Sequence, residues 1–164
     1  MSKQEPPPPT VMITVYGKPK QKKTSDALAA FPRALFLGVP SAITLVAQNE
    51  LGFNPSVHPE SPKNLTELVS MLKSFAEIKD TTDYDAVVVD DISHLCQCSM
   101  LGWQESAPAG RSGKKDKFYP YQQLNQHLLE IAHASRYLGV HLLMNFHERP
   151  PGTNADGRFC PGGP

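Results

Sequence analysis

The chain is short of cysteine and has no excess of charge of either sign. Its three cysteines, Cys96, Cys98 and Cys160, are an odd number among 164 residues, which argues against a disulfide framework and favours reduced thiols. Sixteen basic residues balance 16 acidic ones, so no overall field attracts nucleic acid or an anionic membrane. Any contact with nucleic acid must therefore be local.

A long apolar run is also missing from the sequence. No stretch approaches the length that spans a bilayer, and the amino-terminal MSKQEPPPPT lacks the apolar core of a signal peptide. These absences predict a soluble, cytoplasmic protein with no membrane partner. The four consecutive prolines favour a disordered, extended leader over residues 1–10. The remaining length suits one domain over residues 11–164.

The strongest signal lies in Val11 to Leu28, VMITVYGKPKQKKTSDAL. An apolar run rich in β-branched residues ends at Gly17, and Lys23-Thr24 opens a segment compatible with a helix. This order is typical of a phosphate-binding loop, because backbone N–H groups and the helix N-terminus attract an anion. We expect Lys23 to reach the β- and γ-phosphates and Thr24 to bind Mg²⁺. The predicted nucleotide-binding residues of the loop are Gly17, Lys18, Pro19, Lys20, Gln21, Lys22, Lys23 and Thr24.

One residue of this loop departs from the pattern G-x-x-x-x-G-K-[ST], because Lys22 stands where the pattern has glycine. A non-glycine residue with positive φ costs about 1 kcal/mol, which a folded protein tolerates. Its side chain would also stand where the backbone approaches a phosphate closely. The alternative for this stretch is a lysine-rich surface turn after an edge strand.

A second apolar strand, centred on Ala86 to Val89, ends at the paired carboxylates Asp90 and Asp91. Open α/β sheets bind ligands at the C-terminal edge of their strands. Asp90 is therefore predicted to hold Mg²⁺, directly or through water, and Asp91 to orient the attacking water. The alternative for two aspartates after a strand is a helix N-cap.

The other segments alternate between strand and helix patterns. Because parallel neighbours need helical crossovers, this order predicts an α/β fold with a mainly parallel sheet of about four to five strands and helices on both faces. We expect the first strand, Val11 to Tyr16, to be central and buried on both faces, and residues 40–62 to form a long loop. The remaining predicted elements are strands at Arg33–Val39 and Val140–Phe146, and helices at Ser61–Lys79, capped by Ser61 or Asn64, and Tyr119–Leu138.

The strand at Val140–Phe146 delivers His147, Glu148 and Arg149 to the same sheet edge. A polar residue there is placed to sense a γ-phosphate, and His147 is the candidate; the alternative is that it merely caps the strand end. Glu148 is a second candidate, beside Asp91, for the water. The predicted catalytic residues are thus Lys23, Asp91 and Glu148.

Two further clusters can each be interpreted either as functional or as structural. His94, Cys96 and Cys98 are close in sequence, but C-x-C with one histidine lacks the paired spacing of a structural zinc site, and the alternative is a helix or loop with partly buried thiols. The polar stretch Gln104–Lys117 is predicted to be a mobile loop. Its basic residues would contact a phosphate backbone or a neighbour's nucleotide, or else belong to a solvated surface; they are Arg111, Lys114, Lys115 and Lys117.

From Ile13 to Pro164 the sequence resembles the phage-encoded RecA-like P-loop ATPases associated with single-strand annealing recombination. The resemblance rests on YGKPKQKKT, FPRALFL, ELGF, AVVVDDIS, NFHER and RFCPGGP, in this order. It implies a RecA-type core with ATP and Mg²⁺ as cofactors, in which Lys23, Thr24 and Asp90 take the nucleotide and magnesium positions. It also implies single-stranded DNA, further copies of the chain and a single-strand binding or annealing protein as partners, in a host cytoplasm.

The sequence therefore predicts an ATP-binding and ATP-hydrolysing protein of DNA recombination or single-strand annealing. The alternative is a hydrolysis-deficient nucleotide-binding or interaction protein that keeps the P-loop fold, and Lys22 is the residue that favours it. A phage structural or assembly component is a third possibility. Because the family's sheet normally continues beyond Pro164, we expect a minimal or truncated domain with an apolar sheet edge and weak self-association.

Overall fold

A computed structural model describes residues 10–18, 20–38, 52, 55–78, 83–110 and 113–148, with the backbone of 152–153 and 159–160. The strands are β1 Met12–Gly17, β2 Ala34–Gly38, β3 Ser56–Val57, β4 Ala86–Asp90, β5 His141–His147, β6 Gly152–Thr153 and β7 Phe159–Cys160. The helices are α1 Lys23–Ala30, α2 Leu65–Ile78, α3 Ile92–Ser106 and α4 Tyr119–Ser135. Within these residues, no helix is long and apolar enough to cross a membrane.

Strands β1 to β5 form one sheet in the order β1-β5-β4-β2-β3, and every pairing in it is parallel. The prediction of an α/β fold with a parallel sheet is confirmed. Because all five strands run the same way, their C-terminal ends meet at one edge. Gly17, Gly38, Asp90 and His147 end β1, β2, β4 and β5 there. Strands β6 and β7 form a separate antiparallel pair.

Helices cover both faces of this sheet. On one face, Ala27 and Leu28 of α1 pack against Phe36, Val88 and Leu143. Helices α2, α3 and α4 cover the other face, where alternate residues of the same strands point. The buried residues on that face are Leu35, Leu37, Leu65, Leu68, Val69, Leu72, Phe75, Val87, Val89, Ile92, Leu95, Ile131, Ala134, Leu138, Val140, Leu142 and Met144.

Helix α2 begins at Leu65, four residues later than predicted, because Asn64 caps it. The Asn64 side-chain oxygen accepts the Glu67 N–H at 2.9 Å, as in a capping box, and the Glu67 carboxylate accepts the N–H of Lys63, the residue before the cap, at 2.8 Å. Ser61, the other predicted cap, instead donates to the Gly38 carbonyl. The predicted C-terminal residue of this helix, Lys79, lies outside the described residues.

The predicted position of the first strand is wrong. Strand β1 lies at the end of the described sheet and pairs there with β5 alone. Met12, Thr14 and Tyr16 are exposed, whereas Ile13 and Val15 are half-buried. Apolar and β-branched residues fit a central strand and a partly covered edge strand equally well, so composition did not distinguish the two positions.

Two predicted loops contain regular structure. In the predicted loop at residues 40–62, Ser56–Val57 forms β3 and pairs with β2; most of its earlier part, with the ELGF segment, lies outside the described residues. The predicted loop at Gln104–Lys117 starts later, since α3 runs to Ser106. Lys115 stabilises this longer helix, because its ammonium donates to the carbonyls of Gln104 and Glu105.

Close backbone packing at Gly38 predicts that Gly38→Ala destabilises the fold. An added Cβ would lie 2.3 Å from the Asp90 carbonyl oxygen and 2.5 Å from the Phe36 ring. Overpacking of this kind costs about 1–3 kcal/mol, measurable by urea unfolding. The control is Gly102→Ala on α3, where nothing lies within 4 Å of the added Cβ, and which should stabilise by about 0.5–1 kcal/mol. Equal stability of the two variants would contradict the predicted packing.

Candidate nucleotide-binding site

The loop between β1 and α1 contains two lysines in the left-handed backbone region. Lys20 has φ 65° and Lys22 has φ 57°. Lys22, with ψ 16°, is the N-cap of α1, so its backbone takes the conformation that glycine takes freely. A non-glycine residue in this region costs about 1 kcal/mol. The chain thus builds the loop against a local backbone cost.

The side chain of Gln21, an exposed residue of this loop, bonds back to the loop backbone. Its Oε1 accepts the Lys18 N–H at 2.8 Å. A Cβ at Gly17 would lie 2.5 Å from the same oxygen, so a side chain at Gly17 would displace the Gln21 side chain. Pro19, another predicted loop residue, lies outside the described residues.

Lys23 is the centre of the site. Its side chain is only 8% exposed, at the first position of α1. The ammonium Nζ donates to the Gly17 carbonyl at 3.0 Å and to the Lys18 carbonyl at 2.8 Å, and lies 3.4 Å from His147 Nδ1. A buried ammonium requires such partners. A phosphate at this position would take the place of the neutral carbonyls and offer a full negative charge.

Thr24 and Asp90 join helix α1 to the end of β4. The Thr24 hydroxyl donates to Asp90 Oδ2. Burial raises the pKa of the Asp90 carboxyl; the Thr24 hydrogen bond opposes this, and the negative charge of Asp91 adds to it. A nearby cation would offset both costs of the ionised form.

The hydroxyl of Thr24 and the carboxylate of Asp90 are hard oxygen donors, which fit Mg²⁺. In the part of the chain that the structure describes, no three acidic, histidine or cysteine side chains are grouped to hold a metal. Two oxygen donors fit Mg²⁺, which usually binds through one or two protein oxygens and substrate phosphates and keeps several waters.

Asp91 combines the capping role with a contact in the site. Its Oδ1 accepts the His94 N–H at 2.7 Å and caps α3, as the N-cap alternative predicts. Its Oδ2 lies 3.2 Å from His147 Nε2. A neutral imidazole with its proton on Nε2 donates to Asp91 and accepts from Lys23 through Nδ1. His147 thereby links the two groups.

Ser93 fixes the end of β5 beside this link. Its hydroxyl accepts the His147 N–H at 2.9 Å, so the imidazole is carried on a tethered backbone. Next to it, a cavity of about 130 Å³ opens between β2, β4 and α3. Its lining residues include Gly38, Ser61, Asp90, Asp91 and His94.

Glu148 contacts the site through its backbone. Its N–H donates to the Gly17 carbonyl at 2.9 Å, the same oxygen that accepts from Lys23. Desolvation and then the Glu148 charge raise the pKa of Tyr16 on β1. Arg149 lies outside the described residues. Asp91, rather than Glu148, is the carboxylate that the structure joins to Lys23, through His147.

The remaining candidates are divided between α3 and the loop after it. Cys98 Sγ lies 3.5 Å from His94 Nε2, one turn away on the same helix. Burial and then the Asp91 charge raise the pKa of the Cys96 thiol to about 11, which keeps it protonated and a poor metal ligand. The Cys160 side chain and Arg111 lie outside the described residues.

Two residues of this region were missed at the level of sequence, Ser93 and Asn145. Ser93 carries no signal of its own, because a serine after a strand is common. Asn145 does carry one, since it is an amide within the apolar run of β5. It is fully buried.

A lysine at a helix N-terminus, a hydroxyl beside it and an aspartate at the end of another parallel strand of the same sheet are the features of the P-loop class of nucleotide-binding domains. A family model for the AAA domain matches residues 10–156, and the chain belongs to this family. A search of curated proteins finds no significant match.

A solved structure with a similar fold is a unique ATP synthase subunit, NeqB, from Nanoarcheaum equitans. It superposes with a TM-score of 0.53 at 15% sequence identity, and the match covers 85% of this chain. The chain corresponds to only 40% of the length of that subunit. At this identity the similarity shows the fold.

Proposed function

We propose that the chain binds ATP with Mg²⁺ and hydrolyses it. The observation that supports this most directly is the Thr24–Asp90 hydrogen bond, because it brings two oxygen ligands suited to Mg²⁺ next to the buried ammonium of Lys23. Membership of the AAA-domain family supports the same class of ligand. The parallel sheet, with its ligand edge at β4 and β5, agrees with it.

Positioning and charge neutralisation would supply the catalysis. Lys23 would leave the two carbonyls and bind the β- and γ-phosphates, while Thr24 and Asp90 would hold Mg²⁺. The bound Mg²⁺ would neutralise charge on the phosphates. His147 would sense the γ-phosphate, while Asp91 is fixed by its helix cap and would orient the attacking water. We keep Glu148 as the second candidate for this role.

Lys23→Ala tests the binding site directly. We expect it to weaken ATP binding in the presence of Mg²⁺ by about 100-fold or more, since removing one partner of a buried charge pair costs about 2–5 kcal/mol. Calorimetric titration measures the loss. Lys63→Ala is the matched control, because it removes one exposed positive charge outside the loop. Unchanged affinity in the Lys23 variant would rule out this loop as the phosphate site.

The alternative function is that of a nucleotide-binding or interaction protein without turnover, and Lys22 again separates the two. Its backbone already has the glycine-like conformation, so Lys22→Gly should change stability by less than about 1 kcal/mol and should not increase ATP turnover. Lys22→Ala, which removes the charge but keeps the backbone cost, is the control. A large rise in turnover for Lys22→Gly alone would favour the alternative.

We also propose that the ATPase acts on single-stranded DNA in recombination or annealing, with further copies of the chain and a single-strand binding or annealing protein as partners. The resemblance of the sequence and the exposed lysines of the loop before α4 support this. Lys115 stabilises the end of α3. Of the basic cluster's described residues, Lys114 and Lys117 are then available to phosphates.

Single-strand affinity across a salt series tests the DNA contact. Each phosphate contact contributes about −0.7 to the slope of log affinity against log salt. Replacing both lysines, Lys114→Ser and Lys117→Ser, should therefore make the slope shallower by about 1.4. Lys63→Ser, an exposed lysine before α2, is the control and should leave the slope unchanged. An unchanged slope in the double variant would place any DNA contact elsewhere.

A further inference from the structure

Asn145 is the one buried side chain of the described residues whose polar atoms both have no partner. Its side chain is 0% exposed, and neither Oδ1 nor Nδ2 forms a hydrogen bond. A buried amide in this state has lost its hydration without compensation, so it lowers the stability of the fold. Leucine or valine would fill the same position without this cost. Such a cost is typical of a residue that serves function rather than stability.

The register of the sheet places Asn145 beside Asp90. Val89 of β4 pairs with Met144 of β5, so Asp90 and Asn145 are the next residues along the two strands. Both point to the α1 face, as Val88 and Leu143 do two residues earlier. Adjacent strands lie about 4.8 Å apart, which is within reach of an amide and a carboxylate.

On its other side, Asn145 lies beside a residue whose side chain cannot form a hydrogen bond with the amide. There it pairs with Val15 of β1, whose side chain is apolar. On the β4 side, the Asp90 carboxylate is engaged through Oδ2 with the hydroxyl of Thr24, on α1. The Thr24 bond therefore ties Oδ2 of the carboxylate to α1, while the Asn145 amide has no partner.

We propose that Asn145 is a positioning residue for Asp90, whose carboxylate accepts a hydrogen bond from Asn145 Nδ2 once Thr24 no longer holds it. This inference rests on the proposed function where it names the trigger, the engagement of Thr24 by Mg²⁺ and nucleotide. The amide then keeps the carboxylate oriented towards the metal. A partly buried carboxylate needs donors when its first one is withdrawn, and Asn145 supplies one from a rigid strand.

The first test needs no nucleotide. In the otherwise unchanged protein, Asn145→Leu should raise the melting temperature by about 2–4 °C, since it removes an unpartnered amide. In a Thr24→Val background the carboxylate should turn to Asn145, so the same substitution should lower the melting temperature. Asn145→Val is a second variant with the same expected signs. Met144→Leu, on the opposite face of β5, is the control and should have one effect in both backgrounds.

The second test measures ATP affinity with Mg²⁺ and with a chelator. Asn145→Leu should weaken the Mg²⁺-dependent binding by about 10-fold, as loss of an outer partner of a metal ligand does, and leave binding in the chelator unchanged. A merely structural role would not separate these two conditions. Met144→Leu should leave both affinities unchanged.

The outcomes separate this inference from the proposed function. A reversal of sign in the Thr24→Val background supports the pairing of Asn145 with Asp90 even if the wild type binds no nucleotide, in which case the proposed function alone fails. The same sign in both backgrounds, with nucleotide binding by the wild type, overturns the inference alone. A lower melting temperature for Asn145→Leu and Asn145→Val in the unchanged protein also overturns it, because the amide would then already have a partner.

Discussion

The hydrogen bond between Thr24 and Asp90 is the contact on which the arrangement of the site depends. It joins the first turn of α1 to the last residue of β4, two elements 66 positions apart in the chain. Lys23 precedes Thr24 and Asp91 follows Asp90, so this bond joins the two segments that carry the ammonium and the second carboxylate. His147 contacts both of these groups, because parallel pairing brings the end of β5 to the same edge.

Much of this edge could be predicted from local sequence. The apolar strand that stops at Asp90 and the helix pattern of α2 both depend on short-range periodicity, which survives in the fold. The position of Thr24 opposite Asp90 followed from a different argument, that parallel strands present their C-terminal ends together. The left-handed backbone of Lys22 agrees with the glycine of the motif, although the residue type does not.

The failures come from contacts between distant segments. The place of β1 at the end of the described sheet depends on which strands pair with it, and its apolar composition is compatible with either position. The C-terminal end of α3 is stabilised by Lys115, nine residues beyond Ser106. The Lys115 ammonium donates to carbonyls of the last turn of the helix. Asn145 was visible as a polar residue in an apolar strand, but its lack of partners is a property of the packed core alone.

The loop also links stability to ligand binding through its charge. Lys18, Lys20, Lys22 and Lys23 bring four positive charges into six residues, and like charges at such separations repel one another. The Lys23 ammonium donates to backbone carbonyls, which carry only a partial negative charge. A polyphosphate would relieve this repulsion and also satisfy the helix N-terminus. Any ligand that binds the folded state in this way stabilises it, so under the proposed function the bound phosphates would offset the cost of the clustered charge.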